Sequence, residues 1–183
     1  MSTLENAEYV IVGLNATGRT LALLLGAAGV DKITLVDNNV VSDTNQQGYM
    51  SFEKGMLKTT AVKDTLGEMC STKITTANSI SEIMETLTCN ISGNVILIVC
   101  DAMTPKSKVH LCNELHSVCK SVFFVGFYSD GENSVTHYRN MELESMGLDT
   151  VSSLPEGKES LREGRIAASR IFGAIVNVDY SLL

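Results

Sequence analysis

The sequence predicts an α/β fold, a doubly wound and mostly parallel sheet with helices on both faces. Three observations carry that expectation. Short β-branched apolar runs alternate along the chain with segments of helical spacing. Val95-Ile96-Leu97-Ile98-Val99 is apolar without interruption, as a central parallel strand buried on both faces requires. The first run, Tyr9-Val10-Ile11-Val12, breaks into a glycine-bounded turn, Gly13-Leu14-Asn15-Ala16-Thr17-Gly18, that opens a helix.

The opening unit runs from Tyr9 to Asp37. After the turn, Arg19-Thr20-Leu21-Ala22-Leu23-Leu24-Leu25 reads as helix, and a second apolar run, Ile33-Thr34-Leu35-Val36, ends on Asp37. Strand, tight turn, helix and strand, with an acid about twenty residues beyond the last glycine, is the layout that nucleotide binding asks for. A turn without bulky side chains lets backbone N–H groups approach a phosphate. The helix N-terminus attracts the anion, and a carboxylate accepts hydrogen bonds from sugar hydroxyls. Asn15 stands at the second glycine position of the G-x-G-x-x-G pattern. Asn tolerates a left-handed backbone better than most residues, but its side chain could crowd a ligand. The plain alternative is a strand-to-helix turn that binds nothing.

From Asn38 to Tyr49 the chain is polar and rich in Asn and Gln, a loop placed where the C-terminal edge of the sheet opens. Gly55-Met56-Leu57-Lys58 leads into a helix with Val62, Leu66 and Met69 on one face. Lys58 reads either as a phosphate ligand or as a solvated lysine of the first turn. Lys73 to Ala77 is a third strand, and Ser79 to Thr88 a short helix with a Ser cap candidate. Asp101 follows the strand Val95 to Val99. An acid there faces the ligand crevice by geometry, with a helix cap as its competing role. Pro105 opens a helix expected to reach about Cys119. Ser121 to Phe127 is another buried strand, and Asn133 to Tyr138 alternates as an edge strand. Met141 to Gly157 reads as a crossing loop. Glu159 to Val176 is a helix, with Leu161, Ile166, Ala167, Ile171, Phe172 and Ile175 apolar and Arg162, Glu163, Arg165 and Arg170 on the polar face.

A length of 183 residues fits one domain with its own core, residues 1–183. The net charge of −7 argues against general nucleic-acid binding, which needs a basic face. No apolar run reaches membrane-spanning length, and Met1 to Glu8 is polar and acidic rather than a signal peptide, so a cytoplasmic protein without membrane attachment is the expectation. The cysteines Cys70, Cys89, Cys100, Cys112 and Cys119 are odd in number and form no CxxC pair, which indicates neither a disulfide framework nor a zinc site.

Taken together, Gly13 to Gly18, Ala27-Ala28-Gly29-Val30, Asp37-Asn38-Asn39-Val40-Val41, Thr44-Asn45, Gln47-Gly48-Tyr49 and Gly55-Met56-Leu57-Lys58 resemble, in that order, the ThiF/MoeB family. This is the Rossmann-like adenylating domain shared with ubiquitin-activating enzymes. Asp101-Ala102-Met103 is similar to the family's acid after its fourth strand. The likeness is strong over roughly the first 110 residues, and an ordered series of motifs is far more specific than one glycine turn. It implies a three-layer fold that uses ATP and Mg²⁺ to adenylate the C-terminal glycine of a ubiquitin-like or sulfur-carrier protein.

By that resemblance the nucleotide set is Gly13, Asn15, Ala16, Gly18, Asp37, Asn39, Asn45, Gln47 and Lys58. Asp37 would hold ribose, Asn45 and Lys58 phosphate, and Asp101 Mg²⁺, so that Lys58 and Asp101 are the catalytic pair. Asn15 and Ala16 replace two family glycines, Asn39 replaces a second acid, and Gly48 stands where an arginine is usual. These departures keep open a non-catalytic module that binds a protein partner. Asp37 also keeps open an NAD-binding oxidoreductase. Members of the family form homodimers, and the apolar stripe of Glu159 to Val176 is the candidate contribution to such an interface.

Overall fold

The computed structural model describes residues 7–42, 53–89, 95–100, 119–127, 133–139 and 161–176. The elements follow the pattern read from the sequence: β1 (Glu8–Val12), α1 (Ala16–Ala27), β2 (Lys32–Val36), α2 (Lys58–Met69), β3 (Lys73–Ala77), α3 (Ile80–Cys89), β4 (Val95–Val99), β5 (Cys119–Phe127), β6 (Asn133–Arg139) and α4 (Leu161–Val176). The strands form a six-stranded sheet in the order β3-β2-β1-β4-β5-β6. All neighbours are parallel except β6, which runs antiparallel to β5 at the edge. The chain leaves β1 toward β2 and β3, then returns to β4 on the other side. The gap between the C-terminal ends of β1 and β4 is therefore the topological switch point, where such sheets bind ligands.

Alternation along the strands divides the core between two faces. Tyr9, Ile11, Ile33, Leu35, Ile96 and Ile98 pack with Leu21 and Leu25 of α1, Val62 and Leu66 of α2, and Ala167 and Ile171 of α4. Val10, Val12, Val36, Leu97 and Val99 point the opposite way, with Ile83 of α3. Burying a side chain of this size contributes about 1.5–3 kcal/mol. Strands covered on both faces are apolar at nearly every position, which is why β4 reads as an unbroken run.

Register is fixed at the far end of the sheet. The Glu8 carboxylate accepts from Lys32 Nζ at 2.7 Å and from Thr34 Oγ1 at 2.8 Å. Val12 then pairs with Val36, so the turn after β1 and the acid after β2 emerge level with each other. A slip of one residue would turn every side chain of β2 to the wrong face.

Three expectations need correction. Met69 does not join Val62 and Leu66 inside; it is 54% exposed. α1 crosses α2 at Gly26, where an added Cβ would run into Leu66 Cδ2 and lie 3.2 Å from Cys70 Sγ, so Cys70 closes that end of the core. The helix opened by Pro105 does not extend to Cys119, because Cys119 starts β5 and pairs with Val95; the rest of that segment lies outside the described residues. In α4, Ile166 is 40% exposed, and the buried line consists of Gly164, Ala167, Ala168, Ile171 and Ile175. The small residues on that line allow a close approach, and α4 makes its most extensive contact with α1.

Candidate functional site

The site is built at the C-terminal ends of β1, β2 and β4. Gly13 follows β1 with φ at +89°, a conformation glycine adopts without strain. Its N–H donates to Val36 O at 2.8 Å, which extends the ladder into the turn. Gly18 lies in the first turn of α1 directly against Gly13. A Cβ at position 18 would overlap the Gly13 carbonyl oxygen and sit 3.3 Å from Ile11 Cγ2. This is the close helix–strand packing that the last glycine of the pattern permits.

Asn15 has an extended backbone, φ −70° and ψ −167°, rather than a left-handed one. Its side chain makes it the N-cap of α1, with Oδ1 accepting from Gly18 N–H at 3.0 Å. Its Nδ2 donates to Cys100 O at 2.5 Å. Cys100 is the residue after β4, and its own N–H donates to Val12 O at 2.7 Å. One asparagine side chain thus ties the turn after β1 to the end of β4 across the switch point.

Asp37 follows β2 and is only 7% exposed. Its Oδ2 accepts from Leu14 N–H at 2.7 Å, while Oδ1 accepts from the Asn39 N–H at 2.7 Å and from Asn39 Nδ2 at 2.8 Å. A buried carboxylate needs such partners, since an unpaired charge there would be strongly destabilising. Lys58 Nζ stands 4.0 Å from Asp37 Oδ2, with its side chain 12% exposed. The lysine is therefore turned inward and is not a solvated one.

Backbone bonds place Lys58. Its N–H donates to Asn39 O at 3.0 Å, Val41 N–H donates to Met56 O at 2.8 Å, and Gly55 N–H donates to Val41 O at 2.9 Å. Val40 and Leu57 form an antiparallel bridge in the same ribbon. The chain after Asp37 is thus zipped to the start of α2, which carries a cation to a carboxylate that precedes it by about twenty residues in sequence.

The structure brings Gly13, Asn15, Ala16, Gly18, Asp37, Asn39 and Lys58 to one end of the sheet. Asn45, Gln47 and Asp101 lie outside the described residues. Two participants went unnamed in the sequence, the Leu14 N–H and the Cys100 carbonyl. Both are main-chain groups, so side-chain identity carries no sign of them; only their position beside the turn and the strand end could have marked them. Cys100 itself is buried, 1% exposed. Among the described residues no group of three or more His, Cys, Asp or Glu is placed to hold a metal ion, and no helix is long and apolar enough to cross a membrane.

A cation beside a carboxylate that is already oriented, next to a glycine-bounded turn, is an arrangement able to bind a phosphate and a sugar together. Comparison with known proteins agrees with that architecture. No curated protein matches the sequence. Solved structures do share the fold. PaaA superposes with a TM-score of 0.72 at 19% identity, covering 97% of this chain and 58% of its own. Escherichia coli MccB with ATP gives 0.66 at 18% identity, covering 96% and 57%. The microcin C7 biosynthetic enzyme MccB in complex with N-formylated MccA gives 0.68 at 17%, covering 96% and 58%. The present chain spans somewhat over half the length of these proteins. The ThiF family model matches residues 1–126, more than half of the sequence, and the chain belongs to the ThiF family.

Proposed function

We propose that the chain is an ATP-dependent adenylating enzyme that activates the C-terminal glycine of a ubiquitin-like or sulfur-carrier protein in the cytoplasm. The observation that carries this reading is the Lys58–Asp37 pair, 4.0 Å apart and held against the Gly13 to Gly18 turn. The lysine suits phosphate oxygens and the acid suits ribose hydroxyls. Among the structural neighbours, MccB has been solved with ATP and with AMPCPP together with MccA, so one fold of this kind holds a nucleotide and a second molecule at once.

In the proposed reaction a carboxylate oxygen of the carrier attacks the α-phosphorus of ATP. The bond to the bridging oxygen breaks, pyrophosphate leaves with the electron pair, and an acyl-adenylate remains. The chain contributes position and charge. Leu14 and Asn39 hold the Asp37 carboxylate, which would fix the ribose; Lys58 and Asn45 would contact phosphate, and Gln47 belongs to the same nucleotide-binding set. Asp101 follows Cys100, which Val12 and Asn15 anchor, and would hold Mg²⁺. The metal supplies neutralisation of phosphate charge.

The test is ATP–pyrophosphate exchange with Mg²⁺ and glycine-ending carriers. Carrier-dependent exchange is the expected result, and measurable ATP binding without exchange against any such carrier overturns the proposal. A second reading, a non-catalytic module that binds a protein partner, has Asn15 in its favour, because that side chain occupies the turn that the family leaves to glycine. Calorimetry without ATP binding, beside a stable complex in a pull-down, would establish it.

Homodimer formation belongs to the same proposal. The α4 stripe is largely used within the chain against α1, so the symmetric interface would draw on the helices flanking the central strands, with Ile166 and Val176 the large apolar side chains α4 leaves outward. A stable interface of this kind buries about 1,200 Å² or more in total. Light scattering at micromolar concentration should return twice 19.7 kDa, and a mass near 19.7 kDa would refute the dimer.

A further inference from the structure

We infer that Arg19 binds the distal phosphates of the nucleotide, from the side of the turn opposite Lys58. This rests on the proposed reading of the site as one for ATP. A triphosphate is a polyanion, and its site must meet it with net positive charge. Lys58 alone does not supply that, since the Asp37 carboxylate stands 4.0 Å from its ammonium and offsets its charge. α1 has no acidic residue in its first turn, so nothing within the helix neutralises the positive end of its dipole. Arg19 belongs to that same turn. A cation there opposes the dipole unless an anion shares the helix end.

Helix geometry directs the side chain. The Arg19 N–H donates to Asn15 O at 3.0 Å, so the two residues lie one turn apart on one face of α1. That face is turned toward β4, because the Asn15 amide reaches the Cys100 carbonyl at 2.5 Å. Side chains of a helix lean toward its N-terminus, which carries the guanidinium toward the Gly13 to Gly18 turn. Arg19 is half-buried and its Nε is withdrawn from solvent, so the stem is held against the protein. Asp37 and Lys58 stand on the other side of the turn, at the tip of β2. A nucleotide with its ribose at Asp37 therefore lays its phosphates across the turn toward β4. Lys58 meets the phosphate nearest the sugar, and Arg19 meets the far ones. In the proposed reaction these leave as pyrophosphate, and the guanidinium stabilises the charge that gathers on them.

The experiment is calorimetry with ATP and with AMP, each with Mg²⁺, on wild type, Arg19→Gln and Arg19→Lys. Arg19→Met serves as a second uncharged variant that keeps the apolar stem, and circular dichroism checks each fold. The ATP dissociation constant should rise on the order of tenfold for the uncharged variants, with part of the loss recovered by Arg19→Lys. AMP lacks the distal phosphates, so its affinity should be the same in all of them. A folded uncharged variant that binds ATP as wild type does overturns the inference and leaves the nucleotide reading standing. Equal losses for ATP and AMP also overturn it, because they indicate a role in holding the helix. Wild type that binds no ATP removes the nucleotide reading, and the inference with it.

Discussion

Replacing Gly18 by Ala should destabilise the protein by about 3 kcal/mol, at the upper end of what overpacking costs. For a chain of this length that lowers the melting temperature by about 6–12 °C. The added methyl would meet the Gly13 carbonyl, and backbone cannot rotate aside as a side chain does. To make room, either α1 must lift from β1 or the turn must open. Lifting exposes Leu21 and Leu25; opening disturbs the Leu14 N–H that holds Asp37. Gly67 is the control, since a Cβ there meets nothing within 4 Å. Gly67→Ala in α2 should leave stability unchanged or raise it slightly, because alanine favours helix. Thermal unfolding followed by circular dichroism reads both. A shift below about 2 °C for Gly18→Ala would mean that the turn yields at little cost.

Asp37→Ala is expected to affect both binding and folding. With Asp37 as the proposed ribose acceptor, its loss removes a hydrogen bond of about 1.5–3 kcal/mol, so the ATP dissociation constant should rise on the order of tenfold to a hundredfold. Leu14 is fully buried, and its N–H would lose its carboxylate, a further destabilisation of about 1–3 kcal/mol. Lys58 would lose the carboxylate that stands 4.0 Å from its ammonium. Calorimetry with ATP, alongside a melting curve, separates the two effects. Unchanged ATP affinity in a folded variant would remove Asp37 from the site while leaving its structural role in place.

Much of this was legible in the sequence because it depends on local pattern. β1, β2, β3 and β4 are marked by β-branched runs, and the place of Asp37 follows from strand length alone. Lys58 was legible only as one of two alternatives, because periodicity places it in the first turn of a helix without saying which way the ammonium points. The ribbon between Val40 and Leu57 decides that, and it consists of backbone bonds. The role of Asn15 was half legible. The sequence shows a side chain where glycine is usual, but its partner Cys100 is 85 residues away, and only the parallel pairing of β1 with β4 brings them together. Met69 and Ile166 were misplaced for another reason. Helical periodicity identifies an apolar direction, but the neighbouring helix decides how far along that direction burial extends, and Gly26 and the small residues of α4 set those limits.

The ribbon that carries Lys58 also separates the length of one loop from the placement of that lysine. Val41 and Gly55 are joined by a hydrogen bond, so whatever chain lies between them hangs from a closed neck. Closing a longer loop is a matter of chain entropy, about 0.6 kcal/mol for each doubling of length. Residues can therefore be gained or lost between the two neck positions at a small cost in stability, with the ammonium remaining beside Asp37. What the neck insulates is the Lys58–Asp37 pair; Asn45 and Gln47, which the proposed function assigns to the nucleotide, belong to the stretch between the neck positions, so a change there would act on their contacts rather than on that pair.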